Sequence, residues 1–239
     1  MSIQQDLLPK ITQLSDGDFR YSKTSDFDYV NTLDTDCSAI VLEATVCYLE
    51  MKNTEMLLKT GKRLAARIYK IYYHTLQEVA KQSGAFLSCY APNSFLLIYP
   101  KDQYGVSHVV DTALKTTHLI SDTLKELIEK HGHINFSMGI DVGTILGTLA
   151  VDGNNHQHLV WFGKTIEKAK TICHECLRPF YVGISGTVFH HLDDDLKTTT
   201  KRILGFKKQV EIWNRASYQF ENTKKHLYQT NFHKPFEDN

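Results

Sequence analysis

The apolar positions of this chain follow two rhythms, and the change from one to the other marks out its elements. From Val41 to Leu49 the residues are mostly apolar and β-prone, Glu50 stands at the end of that run, and Lys52, Asn53 and Thr54 turn into a helical pattern. This reads as a buried strand that exits onto a carboxylate. Leu57, Leu64, Ile68, Ile71, Tyr72, Leu76 and Val79 then recur at helical spacing up to Gly84, with Asn53 as the N-cap. AFLSCY and SFLLIYP, separated by Ala91, Pro92 and Asn93, predict a hairpin with a tight turn. Ser107 to Lys130 has the pattern of a second amphipathic helix, with Val110, Ala113, Leu114, Ile120, Leu124, Leu127 and Ile128 on its buried side.

Further on, INFSMGIDVG and TILGTLAV read as two strands around Gly143, and HLVWFG as another. Thr165 to Leu177 reads as a helix, FYVGIS as a strand, Gly186 to Leu192 as a short helix, and RILGFKKQVEIW as a closing hairpin turning near Gly205 and Phe206. The order, β-α-β-β-α-β-β-α-β and then a hairpin, predicts an α+β domain: an antiparallel or mixed sheet with helices on one face. Before it, residues 3–14 suggest a short helix broken or kinked by Pro9. Residues 16–36 read as an ordered arm, because Phe19, Tyr21, Phe27, Tyr29 and Leu33 are poorly suited to solvent. The expected divisions are an arm at 1–36, a domain at 37–215, and a polar tail of low order at 216–239.

Composition adds limits. The 239 residues suffice for one large domain or two small ones, and 42% hydrophobic content is that of a globular chain. Lysine plus arginine balances aspartate plus glutamate at 27 each, so nothing suggests nucleic-acid binding through bulk charge. No apolar run is long enough to cross a bilayer, and MSIQQDLLPK lacks the pattern of a secretory signal. The expectation is a cytoplasmic protein that binds neither membrane nor nucleic acid. Cys37, Cys47, Cys89, Cys173 and Cys176 are an odd, scattered set and read as reduced thiols.

Several groups invite chemistry. Glu50 sits where a strand-end carboxylate commonly holds a divalent cation. Cys173-His174-Glu175-Cys176 is a CxxC, but zinc needs two more ligands and Cys176 falls on an apolar helix face, so these read as core cysteines. Histidines such as His131, His133, His156, His158, His190 and His191 show no H-x-x-x-H or H-E-x-x-H spacing and read as solvated or hydrogen-bonded. Gly139, Gly143 and Gly147 punctuate strands rather than precede a helix, so they read as turns and close strand approach.

Taken in order, four motifs resemble the class III nucleotide cyclase domain (adenylate/guanylate cyclase-like) over roughly residues 15–215. CYLEMKNT is similar to F-x-D-[IL]-x-x-x-[ST], with Thr54 one place early. GAFLSCYAPNSFLLIYP is similar to G-G-x-x-x-K-x-x-G-D-x-x-L-x-x-F. MGIDVGTILGTLA resembles the G-I-x-x-G-x-x-x-G strand pair, and LVWFGKTIEKAKTI resembles x-x-x-x-G-x-x-V-N-x-A-x-R-L. RILGFKKQVEIW also resembles the family's closing hairpin. Within the class, LVWFG, GIDVG and the Asp-aromatic arm are most similar to the pyrimidine cyclases of Pycsar anti-phage systems.

The resemblance implies a ferredoxin-like core and a head-to-tail dimer with the site at the interface. It also implies a reaction joining the 3'-hydroxyl of a nucleoside triphosphate to its own α-phosphate, on Mg2+ or Mn2+ held by two aspartates. Here the metal positions are Glu50 and Asn93, with Pro92 in place of glycine. The transition-state pair, an asparagine and an arginine on a helix, becomes Glu167 and Thr171. The base-recognising positions are Cys89 and Val160. Lys164, seven before Thr171, faces the same way on a helix and is the nearest substitute cation. Glutamate moves the carboxylate, an amide offsets no cation charge, Glu167 opposes an anionic triphosphate, and Thr171 brings no charge. The resemblance to so altered a set implies a non-catalytic or regulatory homologue without a cofactor. It would be a homodimer, or a heterodimer with a cyclase paralogue or an effector. The alternatives are an active Pycsar-like cyclase using Glu50 and Lys164, and a nucleotide-binding or scaffolding module sharing only the fold.

Overall fold

The computed structural model describes residues 3–24, 33, 37–52, 54–124, 135–151, 156–203 and 206–236. Its centre is β2 (Ser38–Lys52), whose side chains from Val46 to Leu49 are all buried. Such a strand has no solvent side and needs cover on both faces. The neighbours in the sheet are β5 (Asn135–Val151), antiparallel to β2 along its length, and β4 (Ser94–Pro100), antiparallel on the other side. With β1 (Arg20–Lys23), β3 (Phe86–Ala91), β6 (Gln157–Phe162), β7 (Val182–Ser185), β10 (Asn214–Phe220) and β11 (Thr223–Thr230), the order is β10-β11-β7-β5-β2-β4-β3. β1 joins β2 in parallel and β6 joins β5, while β5 and β7 also run parallel. The expected mixed, mostly antiparallel α+β sheet is what forms.

Helices cover both faces, not one. On the first face, α2 (Thr54–Thr60), α3 (Lys62–Ser83), α4 (Val106–His118) and α6 (Gly186–His190) share one apolar core with Cys47, Leu49 and Met51 of β2, through Leu57, Ile68, Tyr72, Leu76, Val110, Leu114 and Val188. On the second, α5 (Lys164–Glu175) and β6 cover Val46 and Tyr48 through Ile166, Ala169, Cys173 and Trp161. Each fully buried Leu or Ile contributes about 1.5–3 kcal/mol. The alternation that suggested one covered face overlooked how continuous the β2 apolar run is.

Other expectations are revised. The helical pattern from Leu57 to Val79 is divided at Gly61, whose φ of 133° lies where side-chain-bearing residues are strained. Asn53 lies outside the described residues. The two strands expected around Gly143 are one strand of 17 residues. The helix expected to reach Lys130 ends at His118 and continues as a π-turn over Leu119–Thr123; residues 125–134 lie outside the description. Pro9 does not break α1 (Ile3–Asp16). In the arm, Phe19 and Tyr21 remain exposed with their rings 5.2 Å apart, whereas Leu33 is buried; residues 25–32 lie outside the description.

The correction with most consequence concerns the expected polar tail. The RILGFKKQVEIW hairpin does form, as β8 (Thr198–Ile203) and β9 (Phe206–Glu211), but it is a separate two-stranded sheet and does not close the chain. β10 and β11 follow and extend the main sheet through β7. Tyr218 and Leu227 bury themselves against Ile172 of α5. The turn between them carries Glu221 at φ 47° and Asn222 at φ 59°, a left-handed pair without glycine, which removes the usual turn signature.

Candidate active site

Pairing register sets the first geometry. Glu50, near the end of β2, lies opposite Ser94 of β4 and Ser137 of β5, so the β3–β4 turn arrives beside it. The Met51 N–H donates to the Asn93 carbonyl at 2.8 Å, which anchors that turn. The Asn93 side-chain amide donates to the Met51 carbonyl at 3.1 Å and to Glu50 Oε1 at 3.4 Å. Because the Met51 carbonyl can only accept, the amide presents its N–H groups, not its oxygen, to Glu50. Glu50 and Asn93 are therefore brought together at adjacent strand ends.

Two bases complete the ring. Lys52 Nζ lies 2.6 Å, and His174 Nε2 2.8 Å, from Glu50 Oε2. Lys52 is two residues on, on the same face of β2, and His174 reaches over from the last turn of α5. Both carboxylate oxygens thus already receive hydrogen bonds. Magnesium needs near-octahedral oxygen ligands at about 2.0–2.1 Å. A carboxylate held by an ammonium and an imidazole, beside an amide turned donor-first, does not fit such an ion.

A second group lies along α5. Glu167 Oε1 accepts from the Tyr90 hydroxyl at 3.1 Å, and Lys170 Nζ lies 5.3 Å from the centre of the Tyr90 ring. Burial first, and then the Glu167 contact, raises the Tyr90 pKa. The Tyr90 ring stands edge-on to Tyr48 at 5.6 Å, and Tyr48 in turn edge-on to His174 at 6.2 Å. An aromatic wall therefore links the Glu50 cluster to Glu167. Thr171 donates its hydroxyl to the Glu167 carbonyl at 2.8 Å. Lys164 is 80% exposed and pairs with Glu221 at 3.0 Å, at the β10–β11 turn, so a partner outside α5 engages it. Cys89 and Val160 are both exposed; Cys89 Sγ lies 3.5 Å from the Ala91 carbonyl.

The close seat of α5 on the sheet has a clear cause. A Cβ on Gly139 would fall 1.9 Å from the Ala169 carbonyl oxygen, so only glycine lets the helix backbone lie there. Gly147 lies under the Trp161 ring in the same way. The expected close approach is thus to a helix and a tryptophan. Cys173 and Cys176 are buried, and burial first of all pushes their thiols up to about 11 and about 12. They are core thiols, as their spacing suggested.

Below α5, Asp141 is 2% exposed and paired with Lys168 Nζ at 3.0 Å. Burial raises its pKa above the usual 3.8, against the opposing pull of Lys168 and a Ser185 hydrogen bond. A raised carboxyl favours the fold at low pH, and that contribution is lost as pH rises through the folded value. Removing the countercharge with Lys168→Met should therefore destabilise the protein by about 3–5 kcal/mol at neutral pH. Part of the loss should return on acidification, because a protonated Asp141 needs no countercharge. Urea unfolding at two pH values measures this, and an equal loss at both would contradict it.

Comparison with known proteins decides the fold. The sequence matches no family model and no curated protein. Among solved structures, the adenylyl cyclase CyaB from P. aeruginosa superposes with a TM-score of 0.65 at 11% identity, covering 80% of this chain and 95% of that one. The fold is that of a class III nucleotide cyclase domain. The guanylyl cyclase Cya2 gives the cyclase fold a second match, at TM-score 0.63 and 9% identity over 80% of this chain and 92% of that one. A class III adenylyl cyclase-like ATP-binding protein from Pseudomonas aeruginosa matches at 0.64 and 11% identity, over 81% of this chain and 44% of that chain. Sequence reasoning did not find Tyr90 or the reach of His174 to Glu50. In the sequence His174 reads only as the middle of a CxxC, and Tyr90 carries no motif.

Proposed function

We propose that this cyclase-fold chain does not cyclise nucleotides and acts as a regulatory homologue. The observation that carries the reading is the ring of Lys52, His174 and Asn93 around Glu50, which occupies both carboxylate oxygens with protein donors. Its structural logic is replacement: the Lys52 ammonium, with the His174 imidazole as a second partner of the carboxylate, takes the place the family gives to divalent ions. The family pair on α5 supports the same reading, since Glu167 is an anion and Thr171 neutral. Cys89 and Val160 provide no lysine or carboxylate for a base. Mg2+ or Mn2+ would be needed only by an active enzyme.

The family's sites are shared between head-to-tail subunits, and Tyr73 on α3 is 40% exposed, so we assign a homodimer as the working form. A heterodimer with an active paralogue would act through the interface alone. Among the described residues, no helix is long and apolar enough to cross a membrane, and we place the chain in the cytoplasm. The likeness of LVWFG and GIDVG to Pycsar cyclases suggests antiviral signalling as the setting.

The test incubates the purified chain with each of the four common nucleoside triphosphates and Mn2+, and follows cyclic products by mass spectrometry. No 3',5'-cyclic nucleotide is expected. Formation at a rate near that of ordinary cyclases would show Glu50 to be a working ligand and would establish the active alternative.

A further inference from the structure

We propose a second, independent site: His118, Asp122 and His233 form a transition-metal clasp, suited to Zn2+, that fastens the C-terminal segment to the end of α4. Two of the three are one helical turn apart, and the third comes from a distant part of the chain. His118 ends α4, Asp122 lies in the π-turn that follows, and His233 lies in the segment after β11. Their ligand atoms lie within 4.8 Å of one another. π-turns are rare and frequent at functional sites.

The distances carry the inference. His118 Nδ1 is 3.1 Å from His233 Nδ1 and 3.1 Å from Asp122 Oδ2, and His233 Nδ1 is 3.5 Å from the same oxygen. In a tetrahedral zinc site with bonds of about 2.0–2.1 Å, neighbouring ligand atoms are about 3.3–3.4 Å apart. The observed triangle has that size. Protons satisfy it poorly: one Nδ1–H on His118 can point at the imidazole or at the carboxylate, not at both. A single cation would accept a lone pair from each of the three atoms.

Two imidazoles and one carboxylate form a donor set that suits zinc and its first-row neighbours rather than calcium or magnesium. The side chains of His118, Asp122 and His233 are 28%, 46% and 31% exposed, which leaves an open side for water as fourth ligand. The consequence is mechanical. Residues 231–236 form neither helix nor strand, yet Lys234 pairs with Asp111 of α4 and Lys115 Nζ lies 5.8 Å from the Phe236 ring. The metal would join these contacts in holding the segment against α4.

The test uses the untagged full chain, stripped with chelator and dialysed, then titrated with Zn2+, Ca2+ or Mg2+. One tight zinc site per chain is expected, with no comparable calcium or magnesium binding. Asp122→Asn and His233→Ala should each weaken it by more than the roughly 10–100-fold that loss of an outer partner causes. Circular dichroism confirms that each variant is folded. Co2+ should give tetrahedral bands without a thiolate charge-transfer band, and zinc should slow proteolysis beyond Thr230 in the parent only. Equal zinc binding by parent and His233→Ala, a thiolate band, or failure to bind micromolar zinc would each overturn the proposal.

Discussion

The unmodified chain and the Glu50→Asp/Asn93→Asp variant should both fail to cyclise nucleotides, while adding Glu167→Asn and Thr171→Arg gives the first large gain in rate. The double variant places two carboxylates at the adjacent ends of β2 and the β3–β4 turn, so divalent binding should recover. Lys52 and His174 compete for the first of them, since both contact Glu50 Oε2 within 2.8 Å. Adding Lys52→Ala should therefore tighten Mn2+ further.

Metal alone leaves the developing charge on the α-phosphate unanswered. In phosphoryl transfer a charge-stabilising arginine contributes roughly 10³–10⁵ in rate, or about 4–7 kcal/mol of barrier. On the proposed alignment, Glu167 works in the opposite direction, placing a carboxylate where the family places a neutral amide. Restoring that pair acts on the transition state and should exceed any effect of the metal ligands on ground-state binding. Mn2+ titration and product formation separate the two contributions. Full activity in the metal-site variant alone would mean that Glu167 and Thr171 do not hold the family positions. Lys164 would then be the first side chain to remove.

Gly139→Ala should unfold or severely loosen the protein. The added Cβ would meet the Ala169 carbonyl oxygen at 1.9 Å and the Cys173 amide nitrogen at 2.4 Å. Both are backbone atoms of α5, so no side chain can swing aside. Relief requires lifting the helix, which opens the contacts of Ile166, Ala169 and Cys173 with Val46 and Tyr48. Overpacking of a well-filled core costs about 1–3 kcal/mol and more where backbone must move, so a loss of about 3 kcal/mol or greater is expected. As a control, Gly105→Ala adds a Cβ with nothing within 4 Å and should be near neutral. Comparable midpoints in urea for the parent and Gly139→Ala would show that α5 is not seated so tightly.

Local pattern determined much of the scaffold. The apolar run of β2, the AFLSCY–SFLLIYP hairpin and the amphipathic α3 and α5 are each specified by residues close in sequence, because a strand or helix must bury whatever apolar face its period creates. The positions of Glu50 and Asn93 were legible for the same reason: strand register carries an ordered set of motifs to the same end of the sheet. The strands β10 and β11 were not, since their turn uses Glu221 and Asn222 rather than glycine, and their buried apolar residues, Tyr218 and Leu227, are scattered among exposed polar ones. What occupies Glu50 was decided by tertiary structure alone. His174 is 124 positions away, and it reaches the carboxylate only because Gly139 lets α5 settle onto β5. The meeting of the His118–Asp122 turn with His233 is of the same kind, His118 and His233 lying 115 residues apart, since no sequence period relates groups that only packing brings together.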